Sequence, residues 1–161
     1  MLNTALQVLS KDGTVADNTY QIIAEDGVLP QGDVLLTVDQ LDQLANVTGK
    51  KALFLTVDAS PETNAFPLDQ LDAIFIDFAG FNDGRGYSFA ALLRRQGYTG
   101  DLRATGDVFK DVLNYMKRSG FDTFVVKEGK DIHEAAAGLG DFTHPYQAST
   151  AVPKAHYQTG A

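Results

Sequence analysis

Ala73-Ile74-Phe75-Ile76, then Asp83-Gly84-Arg85-Gly86-Tyr87-Ser88, then Phe89-Ala90-Ala91-Leu92-Leu93-Arg94-Arg95: an apolar run, a glycine-bearing turn and a helical pattern follow in order. The order reads as buried strand, turn and helix start. A turn of this kind aims backbone N–H groups and one arginine at the same space, which suits an anion.

The same unit recurs on both sides. Val34-Leu35-Leu36-Thr37-Val38 and Ala52-Leu53-Phe54-Leu55-Thr56-Val57 precede it, and Leu102-Arg103-Ala104 and Thr123-Phe124-Val125-Val126 follow. Between them lie helix signals. Asp39 is placed to cap a short helix carrying Leu41, Leu44 and Ala45. Ser60-Pro61 is a helix start, which Pro67 cuts short. Asp107 is placed to cap a helix with Val108, Val112, Tyr115 and Met116, ended by Gly120. Asp131 with Glu134 resembles a capping box for a last helix. Runs without polar alternation predict strands covered on both faces, hence a largely parallel α/β sheet of about five strands. An open doubly wound sheet and a partial barrel both fit. Right-handed crossovers put all strand C-termini on one edge, where function normally sits. The loops there carry Asp58, Asp77 to Ser88, Gly106-Asp107 and Lys127-Glu128.

Residues 1–30 read as an N-terminal β arm or hairpin, with Thr4 to Leu9 and Tyr20 to Ile23 as short strands and Lys11-Asp12-Gly13 as a turn. Residues 31–142 form the α/β domain. Residues 143–161 read as a poorly ordered tail.

The 161 residues suffice for one domain with a real core. No cysteine is present, which excludes disulfides, a thiolate nucleophile and Cys-ligated metal. Met1-Leu2-Asn3-Thr4 lacks the basic start and apolar core of a signal peptide. No apolar run reaches the roughly 20 residues of a membrane span. A cytoplasmic protein without membrane contact is expected. The net charge of −8 argues against nucleic acid. Residues 1–70 hold ten acids against three lysines, whereas every arginine lies between Arg85 and Arg118. Arg94 and Arg95 read equally well as helix-surface charge. Arg85 and Arg103 lie on no obvious solvated face and are the stronger ligand candidates.

The anion-site candidates are therefore Asp83, Gly84, Arg85, Gly86, Tyr87 and Ser88, joined by Arg103, Gly106, Asp107 and Asp111. The glycines permit positive φ or close backbone approach. Arg85 offers a planar fork. Ser88 can cap the helix or donate to an oxyanion. The competing reading is a tight structural turn with Arg85 paired to Asp83 or Asp107. Asp77, Asp83, Asp107 and Asp111 can also gather as a carboxylate cluster, although a helix cap and a helix-face residue explain Asp107 and Asp111 more simply. His133, His144 and His156 lack metal-ligand spacing. Tyr115 sits at core spacing. With Phe at position 89, Gly-x-Gly-x-x-Gly is absent, and so is a Gly-Lys-Ser/Thr phosphate loop. No cofactor is assigned.

Asn82-Asp83-Gly84-Arg85-Gly86-Tyr87-Ser88, Leu92-Leu93-Arg94, Gly97-Tyr98-Thr99-Gly100-Asp101-Leu102-Arg103-Ala104-Thr105-Gly106-Asp107-Val108, Asp111 and Gly120-Phe121-Asp122 together resemble the bacterial DUF934 family, across about residues 30–147. Members are described as oxidoreductases of sulfite reduction. The chain departs from the family pattern in three places. Phe78-Ala79-Gly80-Phe81 replaces Phe-Pro-x-Phe, Val112 stands where a glutamine is usual, and Ser119 where a cysteine often stands. The resemblance implies an accessory protein or oxidoreductase of assimilatory sulfite or sulfate reduction, taking a sulfur oxyanion at the Asp83–Ser88 turn and working beside sulfite reductase. Redox chemistry needs a cofactor or reactive thiols, and the chain shows no motif for either. The acidic first half supports a different reading, a non-catalytic docking module for a basic sulfite-reducing enzyme.

Overall fold

The computed structural model describes residues 6–141 and 146–158. The five expected apolar runs are strands: β4 (Val34–Thr37), β5 (Lys51–Leu55), β6 (Ala73–Phe78), β7 (Asp101–Gly106) and β8 (Thr123–Phe124). Three shorter strands precede them: β1 (Gln7–Ser10), β2 (Val15–Asp17) and β3 (Gln21–Ile22). All eight belong to one sheet, ordered β2-β1-β8-β7-β6-β5-β4-β3. From β3 to β8 every neighbouring pair is parallel, and the β1–β2 hairpin joins β8 antiparallel.

This order decides between the two architectures left open. A doubly wound sheet needs a point where strand order reverses, and β3 to β8 run in strict succession. Every crossover then goes the same way round, so right-handedness puts all helices on one face. The core agrees. Val34, Leu36, Leu53, Leu55, Ile74, Ile76, Phe78, Leu102, Ala104 and Phe124 form one cluster with Leu44, Phe89, Leu93, Leu113, Met116 and Ala135 from the crossovers. The alternate residues Leu35, Ala52, Phe54, Ala73 and Phe75 form a second cluster with Tyr20 on the helix-free face. Both faces are covered, which is why the strands lack polar alternation.

The sheet is a curled open half-barrel, and the N-terminal chain shows how tight the curl is. β2 is one edge and β3 the other, yet only Asn18 to Tyr20 separate them. Four residue steps reach at most about 14 Å. Seven flat strand spacings would need about 34 Å. The chain from Asp17 to Gln21 therefore crosses the concave face and draws the two edges together. Residues 1–30 contribute the β1–β2 hairpin and the edge strand β3 to the same sheet. The expected pairing of the first run with Tyr20–Ile23 does not occur, because Val15–Asp17 lies next in the chain and takes that place, leaving Tyr20 to fill the concavity.

Three helices follow β6, β7 and β8: α1 (Arg85–Arg95), α2 (Lys110–Ser119) and α3 (Ile132–Ala137). Asp131 caps α3, its Oδ1 accepting from His133 N–H and Glu134 N–H at 2.8 and 2.9 Å. The β4–β5 crossover is a 3-10 helix, Val38–Asn46, which starts one residue before Asp39, and Thr37 N–H donates to Gln40 Oε1. Ser60-Pro61 opens only a turn, in which Thr63 and Asn64 N–H reach the Ser60 carbonyl. Pro67 lies too close for a longer helix to form. In the tail, Phe142 and Thr143-His144-Pro145 lie outside the described residues. Residues 146–158 pack back onto α2, where Ala151 N–H donates to the Arg118 carbonyl and Ala155 is buried. Among the described residues no helix is long and apolar enough to cross a membrane.

Candidate functional site at the strand C-terminal edge

β6 ends at Phe78, and after six intervening residues α1 begins at Arg85. Gly84 is the N-cap with helical backbone (φ −72°) rather than a left-handed one. Gly86 serves close approach instead. A Cβ there would lie 2.6 Å from the Phe78 ring, so only glycine lets α1 sit on that phenyl group. Ser88 does not cap the helix. It lies inside the first turn, its Oγ 3.5 Å from the Gly84 carbonyl oxygen. Tyr87 turns away toward α2, with its ring 5.0 Å from Phe78 and 4.7 Å from Tyr115. Burial raises its phenol above the ordinary value. Tyr115, expected in the core, is 56% exposed.

Arg85 is held by its neighbour. Its Nε and Nη2 donate to the Asp83 carboxylate at 3.0 and 2.7 Å, and its backbone N–H donates to Asp83 Oδ1. The guanidinium keeps the Asp83 carboxyl below the usual carboxylate range. Nη1 lies 3.8 Å from Asp58 Oδ1. The side chain is 56% exposed and borders a cavity of about 610 Å³ lined by Val57, Ser60, Glu62, Gly84, Ser88, Phe89 and Leu92. Sequence reasoning placed Asp58 on this edge but missed Ser60 and Glu62, which only the folding-back of the β5–β6 crossover brings here.

Arg103 does not join this group. It alternates with Leu102 and Ala104 of the helix-side core, so it faces the concavity. There its guanidinium lies over the Phe75 and Tyr20 rings, 4.7 and 5.4 Å from the centroids. It donates to Thr123 Oγ1, Asn18 Oδ1 and Asp101 Oδ2, each at 2.9 Å. It is a buried cation spent on the curl of the sheet.

Asp107 caps no helix; α2 starts at Lys110 with Phe109 as N-cap. The Asp107 carboxylate accepts from Phe81 N–H at 2.9 Å and from Lys127 Nζ at 2.6 Å. It thereby ties the loops after β6, β7 and β8 together. Gly106 just before it has φ +90°, and a Cβ there would lie 2.3 Å from the Phe78 carbonyl oxygen. Asp111 is exposed in the first turn of α2, beside Lys130 and Glu134 in a separate depression. The carboxylate cluster does not form. Among the described residues no group of three or more His, Asp or Glu could hold a metal ion. On β6 and β7, Asp77 and Thr105 are register partners. Burial raises the Asp77 carboxyl, and Thr105 Oγ1 is buried without a hydrogen-bond partner.

The reading of Arg94 as helix-surface charge needs correction. Nε and Nη2 donate to the Gly120 carbonyl and Nη1 to the Tyr98 and Gly100 carbonyls, and Nη2 also contacts the Asp122 carboxylate. Asp122 further accepts from Lys11 Nζ and Leu102 N–H. Arg95, by contrast, is exposed.

A family model described as a bacterial protein of unknown function, DUF934, matches residues 52–157. The chain belongs to the DUF934 family. No curated protein matches it. The DUF934 region starts inside β5 rather than near residue 30 and runs through the tail that packs on α2. Much of the family-like motif is now accounted for by two structural units. Arg94, Tyr98, Gly100, Gly120 and Asp122 are one rivet. Gly106 and Asp107 are the other. Gly84, Arg85 and Ser88 of the motif border the cavity beside α1, while Arg94, Tyr98, Thr99, Gly120, Phe121 and Asp122 border a second depression of about 550 Å³.

Proposed function

We propose that this DUF934 protein is an accessory of assimilatory sulfite reduction that takes a sulfur oxyanion beside Arg85. One observation carries the reading. The Arg85 guanidinium is oriented by Asp83 through Nε and Nη2, while Nη1 makes no hydrogen bond among the described residues and the side chain borders an open cavity. The Asp83 carboxylate fixes Nε and Nη2, which leaves Nη1, 3.8 Å from the exposed Asp58 carboxylate, to meet a ligand. Ser88 on the same wall supplies a hydroxyl as a further donor, and the link to sulfite reduction implied by the sequence resemblance suggests which oxyanion. Calorimetric titration with sulfite and with sulfate tests this, wild type against Arg85→Ala. Binding heat is expected for the wild type and its loss in the variant. Equal heats in both remove Arg85 from the site.

A second reading has its own support. Arg94 and Arg103 are consumed internally, so the outer surface has fewer free cations than the composition suggests. Together with the net charge of −8, this favours a docking module for a basic enzyme of sulfite reduction. Pull-down of those enzymes at low and at high salt tests it. Capture that fades with salt supports docking, and absence of capture at both excludes it.

A further inference from the structure

The cavity beside Arg85 is built for more than a bare oxyanion. At about 610 Å³ it lies within the range that holds drug-sized ligands, roughly 300–1,000 Å³. A tetrahedral anion fills only the space next to the guanidinium. The remaining wall is largely apolar: Val57, Phe89 and Leu92, with Ser60 and Glu62 on the crossover side. Apolar walls disfavour a desolvated charge, so they have no use in holding sulfite or sulfate alone. Phe89 reaches the core, while Leu92 stays half-buried on the cavity side of α1. The charges are also arranged asymmetrically. Arg85, with the Asp83 and Asp58 carboxylates beside its guanidinium, and Ser88 lie at the start of α1, and Glu62 comes from the opposite crossover. A second anionic group near Glu62 is repelled, whereas a hydroxyl or amino donor is accepted.

We infer that the cavity takes a sulfate or phosphate ester of an aromatic or heterocyclic alcohol, with the anionic head on Arg85 and Ser88 and the ring against Val57, Phe89 and Leu92. This rests on the oxyanion reading of Arg85 and extends it from a head group to a ligand class.

The test compares two probes that share a head group, inorganic sulfate and 4-nitrophenyl sulfate, by calorimetry on the full chain. Burying one ring face is expected to make the aryl ester bind about tenfold or more tightly than sulfate. Leu92→Gln is expected to abolish that advantage and leave sulfate affinity unchanged, and Arg85→Ala to abolish binding of both. Circular dichroism on each variant separates lost binding from lost folding, and Leu92→Met, which keeps the apolar wall, is expected to retain the advantage. Equal affinity of the two probes overturns the ester inference while leaving the oxyanion site standing. Absence of binding by both, with the wild type folded, overturns the site itself. Ester binding that survives Arg85→Ala overturns the placement of the head group.

Discussion

Arg94 on α1 and Asp122 just before β8 form a direct ion pair, and the arginine's remaining N–H groups are taken by the Tyr98, Gly100 and Gly120 carbonyls. The guanidinium thus gathers the loop leaving α1 and the loop leaving α2 at the N-terminal ends of β7 and β8. These bonds are part-buried and use backbone acceptors of two loops, so the pairing is structural rather than a surface charge contact.

Replacing Arg94 by lysine is therefore not conservative. An ammonium cannot span the Tyr98, Gly100 and Gly120 carbonyls and Asp122 together. A loss of about 2–3 kcal/mol of stability is expected. Urea denaturation of Arg94→Lys checks it, and a midpoint within error of wild type would contradict the rivet.

Gly106→Ala is expected to cost about 2–4 kcal/mol, combining a left-handed backbone with overpacking. The added Cβ meets the Phe78 carbonyl oxygen at 2.3 Å, and that oxygen accepts Asp107 N–H at 2.8 Å. Thermal unfolding reads the stability. Amide exchange at Asp107 reads whether that hydrogen bond opens first.

Thr105→Val runs the other way. The hydroxyl is buried without a partner, and an unsatisfied buried group carries a desolvation cost of about 1–3 kcal/mol. Exchanging it for a methyl is expected to raise stability by about 1 kcal/mol. A destabilised variant in denaturant titration would mean that the hydroxyl is bonded in solution.

The loop tie at Asp107 predicts a defined acid response. The Lys127 ammonium, and after it the Phe81 N–H, hold the Asp107 carboxyl below the usual carboxylate range. A depressed folded value means that its stabilising contribution is complete above the unfolded value, about 3.9. The contribution is lost as pH falls through the folded value. Asp107→Asn removes this titration. Between about pH 5 and pH 2 the variant is expected to lose less stability than wild type, measured by urea midpoints across that range. Parallel curves would show that the tie contributes nothing.

Sequence alone determined which five runs of the chain are buried strands. Runs such as Leu53-Phe54-Leu55 and Ile74-Phe75-Ile76 have no polar face, so they must be covered on both sides wherever they lie. It also determined the Asp131 cap and the strand-turn-helix unit around Arg85, because these are contacts between near neighbours. Tertiary structure alone decided that the sheet curls into a half-barrel, since strand succession and the short Asp17–Gln21 crossing are relations between distant edges. It likewise decided the fates of the arginines. Arg85, Arg94 and Arg103 look alike along the chain, yet one borders a cavity, one holds two loops and one lies over the Tyr20 and Phe75 rings. Each fate depends on partners from 2 to 85 positions away. Guanidinium chemistry is identical at all three positions, so only the acceptors that folding brings within hydrogen-bond reach distinguish them.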